Sequence, residues 1–119
     1  MKIAFVYSES YSNYTEFTEK IIECLKERLK EEIEHTKIIS KVTRKKYDLY
    51  VVISNDIDDF KFNLSKIKNK PLLITNNLQS KFIEDVLDDV IDIVYLQSKP
   101  EIIVNRIIGN MEKINAQEN

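Results

Sequence analysis

The feature that most constrains the fold of this chain is the alternation of short apolar runs with longer segments of helical periodicity. Four runs have the length and composition of buried strands: residues 2–7, 47–54, 70–76 and 92–97. A weaker run at 35–40 predicts a further strand, the second along the chain. Between most of these runs, apolar residues recur at spacings of three and four, as on one face of a helix. The alternation predicts βαβ units around a mostly parallel sheet.

Four helices are predicted: at about 13–34, from Asn55 or Asp56 to 68, at 82–90, and a last one that Ser98 caps, with Pro100 in its first turn. Only six residues, 41–46, separate the second and third strands, so the helix expected there is missing or reduced to a turn. The resulting fold class is α/β, a three-layer sandwich on a five-stranded sheet of order 2-1-3-4-5. Residues 1–115 form one domain, and 116–119 form a frayed tail.

Composition narrows the classes of function. The chain has 119 residues and a net charge of −2, so nothing in its overall charge attracts nucleic acid or anionic lipid. No apolar run approaches the roughly 20 residues that cross a bilayer. Its single cysteine, Cys24, forms no internal disulfide. We therefore predict a cytoplasmic protein that binds neither membrane nor nucleic acid.

A functional site is expected where the carboxyl ends of the strands meet. In an open parallel sheet, ligands gather at this edge, at the point where the strand order reverses. Polar residues follow four strands there: Ser8, Glu9 and Ser10; Ser54, Asn55 and Asp56; Thr75 and Asn76; and Ser98 and Lys99. The same residue types are also selected simply as strand ends and helix caps.

The residue inventory argues against several chemistries at this edge. Loops that wrap a phosphate use glycine to let backbone N–H groups converge, and the only glycine is Gly109, in the last helix. The only histidine is His35, so paired-histidine metal sites are absent. Asp56 begins an acidic run that lacks the later glycine and glutamate of a calcium loop. No metal site and no catalytic residue are predicted.

The segments "KIAFVYSE", "YDLYVVIS" and "YLQSKPEIIVNRI" together give the chain a resemblance to response-regulator receiver domains over nearly its whole length. Thr75 falls where that family keeps a Thr or Ser at the end of strand four. The resemblance implies a signalling domain with a flavodoxin-like strand order.

The chain departs from the receiver pattern at the phosphorylation site. The family's two metal-binding acids after strand one correspond to Tyr7 and Ser8, which leaves Glu9 alone. Its phosphoacceptor position holds Ile53 or Ser54, and Asp56 lies two or three residues later. Without those groups, phosphoryl transfer loses most of its electrostatic stabilisation. The resemblance therefore implies a degenerate receiver, a type that acts in protein binding or dimerisation.

A weaker resemblance is to flavodoxin-like proteins. "YSESYSNYTEFTEKI" is similar to their phosphate loop, with Asn13 at the position of the family's amide. Tyr11, Ser12 and Tyr14 replace the loop's Thr, Gly and Thr. The implied alternative is a small protein that binds FMN or another phosphate ligand through Ser8, Ser10, Ser12, Asn13 and Thr15.

Two surface features bear on partners. Residues 37–46 carry five positive charges and no acid, and residues 84–92 carry five acids, assigned here to the third helix. These surfaces suggest a basic edge strand that resists aggregation, or contacts between copies. Tyr11 and Tyr14 are expected to be exposed, either at an interface or as a cover over the strand-end crevice.

The first hypothesis is a non-enzymatic, receiver-like regulatory or interaction domain with a protein partner, which includes the possibility of a homodimer. It needs no cofactor. Its crevice consists of Ser8, Glu9, Ser54, Asp56, Thr75 and Lys99, with Lys99 paired to an acid. The FMN or phosphate binder is the alternative. A third hypothesis is an active receiver, phosphorylated on Asp56 with a metal ion on Glu9.

Overall fold

A computed structural model describes residues 2–7, 14–29, 34–39 and 47–118, with 34–39 and 117–118 described in backbone only. The elements are β1 (Lys2–Tyr7), α1 (Tyr14–Leu29), β2 (Glu34–Ile39), β3 (Leu49–Ile53), α2 (Ile57–Leu64), β4 (Leu72–Thr75), α3 (Ser80–Val86), a 3₁₀ turn (Leu87–Asp89), β5 (Asp92–Tyr95) and α4 (Pro100–Glu118). The α/β class and the parallel sheet are confirmed.

The sheet has the order β2-β1-β3-β4-β5, and every neighbouring pair is parallel. Strands buried on both faces read as continuous apolar runs, which is how β3 and β4 read in the sequence. All five residues of β3 are buried. Because the strands are parallel, their carboxyl ends lie at one edge of the sheet, with the loops that follow them.

Each face of the sheet carries its own apolar core. In β1, Ile3, Phe5 and Tyr7 point into a cluster with α1 and α4. The alternate residues Ala4 and Val6 point to the opposite face, where they pack with α2, α3 and the rings of Tyr47 and Tyr50. This alternation is the two-residue period of a strand. The layers therefore follow the predicted sandwich, helices on both sides of one sheet.

Several predicted boundaries were wrong. Glu34 was assigned to the first helix but opens β2. Asp92 opens β5, as the predicted strand 92–97 has it, although it was also counted among the acids of the third helix. The third helix was predicted to continue to 90 but ends at Val86, and Leu87 is 58% exposed in the 3₁₀ turn. Helical periodicity continues through these sequences, so it did not reveal where the backbone changes.

The last helix also differs from its prediction. The carbonyl of Lys99 accepts the first hydrogen bonds of α4, from the N–H groups of Ile102 and Ile103, so Lys99 rather than Ser98 is at the N-cap position. At the other end, α4 continues through Glu118, and the fraying expected of residues 116–119 stays a prediction. The connection predicted for 41–46 lies outside the described residues.

Among the residues that the structure describes, no helix is both long and apolar enough to cross a membrane.

Candidate functional site

The structure describes about half of the residues of the predicted site. Ser8, Glu9, Ser10, Ser12 and Asn13 lie outside the described residues, as does Tyr11. The described members are Ser54, Asn55, Asp56, Thr75 and Lys99. Four of these lie at the ends of the neighbouring strands β3 and β4, as predicted.

Asn55 is the centre of the polar cluster at this edge. Its side-chain Nδ2 donates to the hydroxyl of Tyr14 at 2.8 Å. Its Oδ1 accepts two hydrogen bonds, from Thr75 Oγ1 at 3.0 Å and from the backbone N–H of Asn76 at 2.6 Å. One amide therefore joins the start of α1 to the ends of β3 and β4. We call Tyr14, Asn55, Thr75, Asn76 and Asn77 the strand-end network.

Asn77 completes the network on the β4 side. Its Nδ2 donates to the backbone carbonyl of Asn55 at 3.0 Å, and its N–H donates to Thr75 Oγ1 at 3.0 Å. Its Oδ1 accepts from the N–H of Gln79 at 3.1 Å. Side-chain hydrogen bonds thus fix the loop between β4 and α3, which is a role that Asn commonly has in turns. The Thr75 hydroxyl, fully buried, is both donor and acceptor.

Tyr14 closes the network from the α1 side. It was predicted to be exposed but is half-buried, because its hydroxyl reaches Asn55 and its ring packs edge-on against Tyr7. The two ring centroids are 6.3 Å apart. The alternative prediction, a tyrosine that covers the crevice, describes this position. The Thr15 hydroxyl, assigned above to a phosphate, lies 3.0 Å from the hydroxyl of buried Tyr7.

Ser54 and Asp56 are engaged in starting α2. Asp56 Oδ2 accepts from the N–H of Asp59 at 3.0 Å, which is the hydrogen bond of an N-cap. Ser54 is fully buried, and its hydroxyl lies 2.6 Å from Asp59 Oδ2 and 3.2 Å from the carbonyl of Asp56. These contacts explain why Ser and Asp occur at these two positions, because they stabilise the end of β3 and the start of α2.

Lys99 does not join the network. It is exposed, and no described acid forms an ion pair with it, so the predicted pairing is not found in the part of the chain that the structure describes. Sequence reasoning instead missed Asn77 and the role of Tyr14. A signal for Asn77 was present in the pair of asparagines after β4, since Asn is typical where a strand ends in a side-chain-bonded turn.

A second polar cluster lies at the start of the edge strand β5, between this strand and α4. Asp92 accepts from Arg106 Nε at 2.8 Å, from Arg106 Nη2, and from Asn110 Nδ2 at 2.9 Å. Burial raises the pKa of Asp92, but these hydrogen bonds and the Arg106 charge outweigh it and hold that pKa below its usual value. The hydrogen bond to Asp92 correspondingly raises the pKa of Arg106. This fork-like pair fastens α4 to the edge strand.

The geometry at the carboxyl edge limits its chemistry. The side-chain polar atoms of Asn55, Thr75 and Asn77 already form hydrogen bonds with neighbouring side chains and backbone groups, so a ligand would have to compete with these bonds. The described residues contain no group of three or more His, Cys, Asp or Glu placed to hold a metal ion. Within the part of the chain that the structure describes, Asn55, Thr75 and Asn77 therefore belong to a structural hydrogen-bond network.

Comparison with known proteins adds information on the fold alone. No protein-family model matches this chain, and no curated protein is similar to it in sequence. A solved structure from Sinorhizobium meliloti, named as a CpaE2 pilus assembly protein, is similar to it with a TM-score of 0.62. The match covers 90% of this chain and 97% of that one, at 15% identity. The two chains share an α/β fold over nearly their full lengths.

Proposed function

We propose that this protein is a non-enzymatic, receiver-like regulatory or protein-interaction domain of flavodoxin-like topology, whose phosphorylation site has been replaced by a hydrogen-bonded closure. The strand order β2-β1-β3-β4-β5 supports the topology. The likeness in fold to a protein named for pilus assembly is compatible with a role in protein assembly. A shared fold supports a function only by analogy, so the proposal depends on the geometry of the site.

The observation that carries the proposal is the position of the Asn55 side chain. Its amide is hydrogen-bonded at 2.8 Å to Tyr14 and at 3.0 Å to Thr75, across the opening between α1 and β4. A receiver needs its Thr hydroxyl free to contact a phosphoryl group on a neighbouring carboxylate. Here that hydroxyl is already donor to one residue and acceptor to another.

Asp56 is poorly suited to accept a phosphoryl group. Its Oδ2 caps α2, so a phosphoryl group on this carboxylate would weaken the cap, by removing the charge of its acceptor, and place extra negative charge beside Asp59. Loss of a cap costs about 1 kcal/mol. We therefore propose that the active-receiver alternative fails at this residue.

Two titrations test the proposal. The first adds Mg²⁺ and beryllofluoride to ¹⁵N-labelled protein and follows the amide resonances of Asn55, Asp56 and Asn76. We expect no saturable shift, since the described residues contain no group of three or more His, Cys, Asp or Glu placed to hold a metal ion. A saturable shift that Asp56→Ala removes would show an active receiver and contradict the proposal.

The second titration adds FMN and follows quenching of its fluorescence. We expect no saturable quenching up to millimolar FMN, because the described loops offer no glycine-lined cradle. Quenching that saturates, and that Asn13→Ala weakens, would favour the FMN alternative. The same protein sample serves for both titrations, so one preparation discriminates the three hypotheses.

A further inference from the structure

A buried ammonium group without a counter-charge lies just beyond the end of α2. Lys66 is 8% exposed, and its Nζ is buried without a hydrogen-bond partner. No acid in the described part of the chain forms an ion pair with it. Buried charges are normally paired, because an unpaired one has lost water and gained no partner. Such a group calls for an explanation, and departures of this kind are expected at functional sites.

An aromatic ring covers this ammonium group. Lys66 Nζ lies 3.9 Å from the centroid of the Phe62 ring, which belongs to the last turn of α2. Attraction to a ring is weaker than pairing with a carboxylate, so Phe62 replaces only part of the hydration that Nζ has lost. Phe62 is itself 55% exposed, so little packing opposes a change of its side-chain rotamer. When the ring turns aside, Nζ becomes accessible to a ligand.

The charges around Lys66 favour an anion. Residues 60–70 contain four lysines and no acid. One of them, Lys61, is paired with an acid of the 3₁₀ turn. Lys68 and Lys70 are exposed and follow Lys66 within four residues, so they lie within about 14 Å of it along the chain. The acids of α2 are in its first turn, at the other end of the helix. The local charge therefore favours a negatively charged ligand over a neutral one.

One ammonium group beside one ring favours a carboxylate over a phosphate. A phosphate group carries about two negative charges and is usually held by several donors, such as arginine or converging backbone N–H groups. Lys66 offers a single charge, and it follows the end of a helix rather than its start. A carboxylate carries one charge and matches one ammonium group. The adjacent Phe62 ring favours a carboxylate that is attached to an apolar or aromatic group.

We propose that Lys66 and Phe62 form a binding site for an apolar carboxylate. Its negative charge pairs with Lys66 Nζ, and its apolar group packs against the Phe62 ring once that ring has turned aside. A small aromatic acid and an acidic side chain beside an apolar one on a partner protein both present this chemistry. The site goes beyond the function proposed above, because it lies at the opposite end of α2 from the strand-end network.

Titration of phenylacetate into the isotope-labelled full chain tests this, with the side-chain resonances of Lys66 and Phe62 as the NMR readout. Two matched ligands isolate its parts, since phenylacetamide lacks the charge and acetate lacks the ring. We expect phenylacetate to bind at least about tenfold more tightly than either, because an unpaired buried charge is costly. The dipeptide acetyl-Phe-Glu-amide, with acetyl-Phe-Gln-amide as its control, presents the same chemistry on a peptide. Tighter binding of this dipeptide than of phenylacetate would assign the ligand to a partner protein, and the reverse order would assign it to a small acid.

Three variants locate the site. Lys66→Met should abolish the preference for phenylacetate over phenylacetamide. Lys68→Met is the matched control, at an exposed lysine, and should change the affinity by less than about threefold. Phe62→Ala should abolish the preference for phenylacetate over acetate.

Three results would overturn the inference: no saturable binding of phenylacetate or the Glu dipeptide, equal binding of the neutral amides, or equal losses in Lys66→Met and Lys68→Met. Any of them leaves the proposed function standing if the Mg²⁺ and FMN titrations are negative.

Discussion

The two ends of α2 differ in whether the polar groups there have hydrogen-bond partners. At its start, beside the carboxyl ends of β3 and β4, the polar side chains of Ser54, Asn55 and Asp56 all have partners. At its end, two buried polar atoms, Asn63 Oδ1 and Lys66 Nζ, have no hydrogen-bond partner. Both regions lie within a few residues of one short helix.

The difference shows where folding has given polar groups hydrogen-bond partners and where it has not. A fully partnered network resists ligands, because each new contact must first break an existing one. An unpartnered buried group instead lowers stability, since it has lost water and gained no hydrogen bond. We infer that the strand-end network closes this edge through hydrogen-bonded side chains. The unpartnered polar atoms at the end of α2, beside Phe62, instead lower the free energy of unfolding.

The largest effect is expected from Asn55→Ala, which tests the network end of the comparison. The substitution removes the acceptor of Thr75 and of the Asn76 N–H, and the donor to Tyr14. It leaves the fully buried Thr75 hydroxyl without its acceptor. We expect the free energy of unfolding in urea to fall by about 2–4 kcal/mol.

Asn76→Ala is the matched control, because Asn76 joins the network through its backbone N–H while its side chain is exposed. We expect a loss below about 0.5 kcal/mol for this variant. Equal losses in the two variants would mean that Asn55 contributes no more than a surface amide, and the network would not be a closure.

The next effect is expected at the other partnered cluster, between β5 and α4. Asp92→Asn replaces charge-assisted hydrogen bonds to Arg106 with neutral ones and should cost about 1–2 kcal/mol at pH 7. Because the folded pKa of Asp92 lies below its unfolded value, the carboxylate contributes its full stability above the unfolded pKa. That contribution disappears as the pH falls through the folded pKa.

Urea unfolding between pH 2 and pH 7 measures this prediction. Wild type should lose stability relative to Asp92→Asn as the pH falls below about 4, until the two curves converge. A constant difference across this range would show that the effect of the substitution comes from packing rather than from the carboxylate charge.

A smaller effect of opposite sign is expected at the unpartnered end. Lys66→Met replaces a buried ammonium group with an apolar side chain of similar length, and the lost contact with Phe62 offsets part of the gain. We expect a net gain of about 1 kcal/mol in the free energy of unfolding. Lys68→Met, at an exposed lysine, should change it little. Destabilisation by Lys66→Met would show that the ammonium group is satisfied in solution.

The smallest effect is expected for Lys61→Ala. Its ion pair with Asp89 is long, at 3.9 Å, and both side chains are substantially exposed. Exposed pairs contribute about 0–1 kcal/mol, and we expect less than 0.5 kcal/mol here. Thermal unfolding at 20 and 500 mM NaCl should give nearly the same difference from wild type. A larger loss that salt abolishes would mean that the pair holds α2 to the 3₁₀ turn.

The sequence predicted those parts of the fold that depend on periodicity. Strands β1 and β3 are continuous apolar runs, and their burial on both faces follows directly. The start of β5 at Asp92 was predicted, but the pairing of its carboxylate with Arg106, fourteen residues later in the chain, was not. Leu87 was misassigned because helical spacing gives no sign of the change to a 3₁₀ turn.

For the site, the sequence predicted where the polar residues lie but not which of them contact one another. The polar residues after β3 and β4 were expected at one edge, and Asn55 and Thr75 do meet there. Which way an asparagine amide points depends on its rotamer and its neighbours, and neither is a property of local sequence. That is why Tyr14 was expected at an exposed position rather than as a partner of Asn55.

The central claim, that the strand-end network closes this edge, is tested most directly by hydrogen exchange at the backbone amide of Asn76, with and without Mg²⁺ and beryllofluoride. That N–H donates to Asn55 Oδ1 at 2.6 Å. We expect its exchange to be slowed at least about tenfold in wild type, unchanged by the added ions, and to lose this protection in Asn55→Ala. Fast exchange in wild type, or protection that appears only with the ions, would contradict the account.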